Sequence, residues 1–149
     1  MSWLGFSAVV VAGFVGCAEF GSYAFVHPVL RRLPPGEWIR TEQGLLRTFG
    51  RIMPVGMTAS PILAGVYAPS AATGSPRLLA WLAFAALAAA LASTIAVNVR
   101  INLATGRWDP DQPPANWRET RRRWETFQGV RSWLLLAGFI LLAAAQTAR

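Results

Sequence analysis

The reading of the fold turns on Glu19-Phe20-Gly21-Ser22-Tyr23-Ala24-Phe25-Val26-His27, which closes an apolar run that starts at Trp3. Glu19 is the one charge in that run as far as Val26. A segment this long and this apolar predicts a membrane-spanning helix, which takes about 20 residues. Residues four apart share a helix face, so Glu19, Tyr23 and His27 form one polar stripe, with Gly5, Ala12 and Gly16 close to the same line. An acid at membrane depth is costly and by default marks a functional site facing the protein interior. Small residues beside it leave room for a neighbouring helix or a ligand. The competing reading is structural. In it Glu19 pairs with an arginine, and His27, the one histidine of the chain, marks the membrane interface.

Composition points the same way. The 149 residues are 54% hydrophobic and only 14% charged, whereas about a quarter of a soluble domain is charged. One membrane domain over 1–149 is expected. The net charge is +7 and every basic residue is arginine. Such a surplus can serve nucleic acid, but here the arginines flank apolar runs, so the lipid bilayer is the expected partner and nucleic acid is not. Cys17 stands alone, which excludes an internal disulfide and a CxxC metal pair. The N-terminus has no basic leader and its apolar run is too long for a signal-peptide core, so it is expected to be retained.

Four helices are predicted, at approximately 3–30, 37–67, 77–103 and 116–146. Pro28, Pro34, Pro35 and Gly36 separate the first two, and Gly106, Asp109, Pro110, Pro113 and Pro114 mark a loop before the fourth. The fold class is therefore all-α, a four-helix transmembrane bundle whose second and fourth helices extend beyond the bilayer. In the second helix Arg40, Gln43, Arg47, Arg51, Pro54, Thr58, Pro61 and Gly65 recur on one side, and Leu45, Phe49, Ile52, Gly56 and Leu63 on the other. Pro54 and Pro61 are expected to kink it. Arg47 and Arg51 either reach into the bundle or snorkel to phosphates. The third helix is alanine-rich and ends in Asn98 and Asn102, one turn apart. In the fourth, Trp117, Arg121, Trp124, Gln128, Arg131 and Leu135 make one stripe, while Arg118, Arg122 and Arg123 face away.

Twelve of the fourteen arginines belong to the 1–2 and 3–4 connections and the helix ends beside them. The positive-inside rule puts both connections in the cytoplasm, the bacterial inner membrane being the expected location. His27, the asparagine pair and Arg121 to Arg131 then converge near one membrane face. No phosphate loop or HExxH is present. A single histidine excludes a two-histidine zinc or haem site, and Glu19 with His27 lacks a third ligand, so no metal is expected.

The segment Asn98 to Arg131 resembles the anthrone oxygenase-like family of small four-helix membrane proteins. That family's third helix ends in N-x-x-x-N, here Asn98 and Asn102. An aromatic, acidic turn follows, here Trp108-Asp109-Pro110. Then comes W-x-x-x-R-x-x-W with an arginine seven residues on, here Trp117, Arg121, Trp124 and Arg131. His27-Pro28 matches the His-Pro that often ends the family's first helix. Two departures stand out: Arg100 where many relatives carry proline, and Gln128 where asparagine or histidine is common, so that position cannot supply a base here.

The resemblance implies a membrane oxidoreductase of polyketide biosynthesis, which oxidises an anthrone-like lipophilic aromatic to a quinone with dioxygen as co-substrate and no cofactor. On that reading His27, Glu19 and Arg131 are catalytic. His27 is the base, since histidine exchanges a proton near neutral pH; Glu19 orients it or replaces it, and Arg131 and Arg121 stabilise the anion. Asn98, Asn102, Gln128, Arg47 and Arg51 contact substrate oxygens, and Tyr23 and Trp124 stack on its rings. The alternative is a non-catalytic membrane protein that binds a ligand or stabilises a partner. Homo-oligomerisation stays open in both readings. Pocket geometry separates them, because an enzyme needs His27 or Glu19 to face a cavity, whereas a structural protein buries both in closed ion pairs.

Overall fold

The computed structural model describes residues 2–148. It holds four helices, α1 (Trp3–Leu30), α2 (Pro35–Ser70), α3 (Ser75–Thr105) and α4 (Trp117–Thr147), each long and apolar enough to cross a membrane. Prolines set two of the starts. Pro35 and Pro76 lie in the first turns of α2 and α3, where the missing N–H costs no helical hydrogen bond. Gly74 precedes α3 with φ of 89°, a left-handed conformation that a side chain disfavours. At 1.5 Å per residue the 36 residues of α2 span about 54 Å, well beyond a hydrocarbon core of about 30 Å.

The helices approach through small residues. A Cβ on Gly16 would meet the Leu135 carbonyl oxygen at 3.0 Å, one on Gly56 would meet Val15 at 2.5 Å, and one on Gly138 would meet Leu87 at 2.7 Å. These three glycines sit in the α1–α4, α2–α1 and α4–α3 seams. Ala8, Ala12, Ala64, Ala80 and Ala83 are fully buried around them. In lipid such close approach drives association, because burial from water does not. Phe14, Val55, Ile62, Leu82 and Ile140 are exposed instead, as a lipid-facing surface requires.

Two wide turns interrupt the α-helical pattern. Ser22–Val26 in α1 and Thr94–Asn98 in α3 are π-helical, with the His27 N–H donating to the Ser22 carbonyl and the Val99 N–H to the Thr94 carbonyl. Pro28 gives a reason for the first. It has no N–H, and its ring crowds the carbonyl four residues back, that of Ala24. The extra residue corrects the expected stripe. It moves His27 back by about 100° toward the face of Glu19, since each residue of an α-helix turns that far. Glu19, Ser22 and His27 are buried, and Tyr23 turns off their face onto Gly129 of α4, where a Cβ would come within 2.9 Å of its ring.

The buried face of α2 is also shifted from the expected one. It runs through Ile39, Glu42, Met53, Met57, Pro61, Ala64 and Tyr67, so Pro61 lies inside and Ile52 faces out. The helix is continuous through Pro54 and Pro61. Along α4 the expected stripe is buried throughout, and Arg118, Arg122 and Arg123 are exposed.

Candidate functional site

The arginine-rich ends of all four helices meet around a cavity of about 600 Å³, within the usual range for small-molecule sites. Two buried acids anchor it. Glu42 enters from α2, and its Oε1 lies 2.5 Å from Arg121 Nη2 and 3.4 Å from His27 Nδ1. The Trp38 indole N–H donates to the same oxygen at 3.2 Å. The His27–Glu42 contact is at ion-pair distance but outside hydrogen-bond geometry, since Nδ1 has no bonded partner.

Glu19 is held from α4. Its Oε2 accepts from Arg131 Nη2 at 2.8 Å and Gln128 Nε2 at 2.9 Å, and its backbone carbonyl accepts from the Ser132 hydroxyl at 3.1 Å. Arg131 also donates to Gln128 Oε1. Two buried carboxylates thus meet two buried guanidiniums, the pairing a low-dielectric interior demands.

Trp124 joins the two clusters. Its indole N–H donates to Asn102 Oδ1 at 2.6 Å, and its carbonyl accepts from Asn98 Nδ2 at 3.2 Å. The guanidinium of Arg121 lies 4.2 Å from the ring centroid and the His27 ring 4.9 Å away. The two asparagines one turn apart on α3 therefore clamp one tryptophan of α4. Asn102 also lines the cavity, whereas Asn98 is fully buried behind it.

The cavity brings together Glu19, His27, Asn102, Trp124, Gln128 and Arg131 among the residues singled out from the sequence. It does not bring in five others. Arg47 and Arg51 are exposed on α2 and outside the lining, because the buried face of that helix passes through Glu42 and Met53. Tyr23 lines a separate hollow with Trp38 and Trp117, as the wide turn dictates. Arg121 and Asn98 are fully buried and hold Glu42 and Trp124 from outside the lining.

Glu42 was missed in the sequence. It precedes Leu45 and Phe49 by three and seven residues, so an acid stood on the apolar stripe of α2; that was the available signal. Among the described residues no three His, Cys, Asp or Glu side chains gather as metal ligands.

Residues 45–141 match the profile of the anthrone oxygenase family, well over half of the chain. The chain belongs to that family. The matched segment contains Asn98, Asn102, Trp124, Gln128 and Arg131, and starts after Glu19, His27 and Glu42. Family membership therefore bears on the α3–α4 wall of the cavity and on the α2 lining from Leu45 onward, while the histidine and both acids rest on geometry. No curated protein and no solved structure matches the sequence.

Proposed function

We propose that this protein is a membrane-embedded oxygenase that converts an anthrone-like aromatic polyketide to a quinone. The observation that carries the reading is His27. The one histidine of the chain faces the cavity, has an acid behind it and lies beside an indole ring. An anthrone has a doubly benzylic C–H beside a ring ketone and phenols. His27 takes that proton through Nε2, with Glu42 at ion-pair distance from Nδ1 to balance its charge. The resulting electron-rich anion passes an electron to dioxygen. The radical pair then combines to a hydroperoxide, and loss of water leaves the quinone. Anthrone and dioxygen thus give quinone and water, and the balance needs no other oxidant. Arg131 faces the oxyanion, a contact worth roughly 3–4 kcal/mol per well-placed donor in other enzymes. Trp124 offers an aromatic wall. Glu42, 3.4 Å from His27 Nδ1, is the acid beside the base, while Glu19 pairs with Arg131.

A second reading has its own support. Both acids are engaged by arginines, as in a protein that binds a ligand or stabilises a partner without catalysis. Oxygen uptake decides between them. Purified protein with emodin anthrone and a chelator should consume dioxygen, and His27→Ala should slow turnover by a factor on the order of 100 or more. Undiminished turnover removes His27 from the mechanism. A folded wild type that turns over none of several anthrones favours the non-catalytic reading.

A further inference from the structure

The cavity is divided, with α2 and α3 adding Glu42 and Asn102 at its arginine-rich end and mostly apolar side chains deeper in. Its floor, from α1 and α4, presents Glu19, His27, Gln128 and Arg131, and its facing lips, from α2 and α3, are mainly apolar. The lips also belong to the outer surface. Gly50 and Pro54 on α2 are exposed, and on α3 Ile95 is 60% and Leu103 59% exposed. A wall residue exposed to the outside marks an opening.

The seam between α2 and α3 is fastened above and below this opening. At the arginine-rich end the Gln43 amide donates to the carbonyls of Thr105 at 3.0 Å and Trp108 at 2.9 Å, and Arg40 pairs with Asp111. At the far end Gly65 lets the helices touch, since a Cβ there would meet the Phe84 ring at 3.1 Å. Between these fastenings the lining on α2 runs from Leu45 to Thr58, about 20 Å at 1.5 Å per residue. That stretch overlaps the apolar part of the helix, at bilayer depth.

We propose that this gap is a lateral window through which the site takes its substrate from the hydrocarbon of the bilayer. The ligand enters edge first, its oxygens reaching the polar floor and its apolar body lying between the lips. The identity of that ligand rests on the oxygenase reading, but the window does not. The substrate class follows from the route. It is a lipophile that partitions into the bilayer and carries its oxygens along one edge, and a sulfated or glycosylated form would be shut out. The exposed Gly106 and Arg107 also line the cavity at its arginine-rich end, so the reagent comparison below decides between entry from hydrocarbon and entry from water.

Thiol accessibility tests the route independently of turnover. Ser22 lines the cavity floor, so Ser22→Cys is made in a Cys17→Ser background, with Thr94→Cys as a second probe if the first misfolds. Vesicles carrying either variant are treated with a long-chain N-alkyl maleimide or a sulfonated, membrane-impermeant maleimide, each rate being normalised to a control, Ala72→Cys, at an exposed position of the α2–α3 turn. The alkyl reagent should react at least about tenfold faster, because a sulfonate is excluded from hydrocarbon. Narrowing the lips with Ile95→Trp should slow the alkyl reagent about tenfold by blocking the opening, with the sulfonated rate unchanged. Equal rates for the two reagents, no labelling by either, or no effect of Ile95→Trp overturns the window. A protein that labels as expected but consumes no oxygen overturns the oxygenase reading and leaves the window standing.

Discussion

Glu19 and Arg131 are both nearly excluded from solvent, and each supplies the other's compensating charge. Removing one partner strands the other in an apolar interior, which typically costs about 3–5 kcal/mol. Glu19→Ala and Arg131→Ala should each lower the apparent Tm in detergent, and the double variant should recover part of the loss. Strictly additive losses would show that the pair is not coupled. This pairing was legible in the sequence because Arg131 is the arginine deepest in an apolar segment and Glu19 the one acid in another. Arg121 was legible only in part. Its register marked an inward face, but its partner Glu42 lies in a charged, amphipathic stretch that reads as solvated surface. The carboxylate is buried because Trp38, His27 and Arg121 converge on it from three helices. Such convergence is a property of tertiary packing, which no spacing along one helix reports. Tyr23 failed for a different reason: its apparent stripe assumed 3.6 residues per turn through Val26.

The two wide turns account for most of what the helical pattern concealed, and they are built alike. The first ends at Val26, two residues before Pro28, and the second ends at Asn98, two residues before Arg100. Arg100 is the position where the family resemblance leads one to expect proline. A π-helical turn relieves the clash between a proline ring and the carbonyl four residues back, so the geometry that suits proline persists here without it. The exposed Arg100 side chain contributes no buried contact. Arg100→Pro should therefore cost less than about 1 kcal/mol, against about 3 kcal/mol for a proline in a regular helix interior. Ala92→Pro, exposed and two residues before the wide turn, serves as the control. Thermal unfolding in detergent should separate the two variants clearly, and equal losses would mean that the α3 turn is not shaped to accept proline. Helix number and approximate ends were readable from apolar runs and proline punctuation. The wide turns were not, because one extra residue per turn leaves composition unchanged and moves only the faces. The apolar lips were equally hidden, since no spacing along α3 reports how far α2 stands from Ile95 and Leu103.

At the scale of the whole molecule, the contacts His27–Glu42, Arg31–Glu125, Gln43–Thr105 and Trp38–Trp117 gather the end of α1, the start of α2, the end of α3 and the start of α4 at one end of the bundle. Twelve of the fourteen arginines belong to that end. Two of them, Arg121 and Arg131, are buried in ion pairs and add little to an orienting surface charge. The other ten are exposed: Arg31, Arg32, Arg40, Arg47, Arg51, Arg100, Arg107, Arg118, Arg122 and Arg123. At the opposite end Arg77 folds back onto the Ala71 carbonyl with bonds of 3.2 and 3.0 Å. The arginine bias therefore survives the subtraction of buried pairs, and acidic partners such as Glu125 and Asp111 weaken it little, because orientation follows basic residues rather than net charge. The expected topology places the cavity end in the cytoplasm and the α2–α3 turn outside. A reporter active only in the cytoplasm should give signal when inserted at Pro113 and none at Ala71, and a reporter active only outside should show the reverse. Cytoplasmic signal at Ala71 would invert the molecule, put the Gln43 fastening on the outer face and place the exposed arginines against the positive-inside rule.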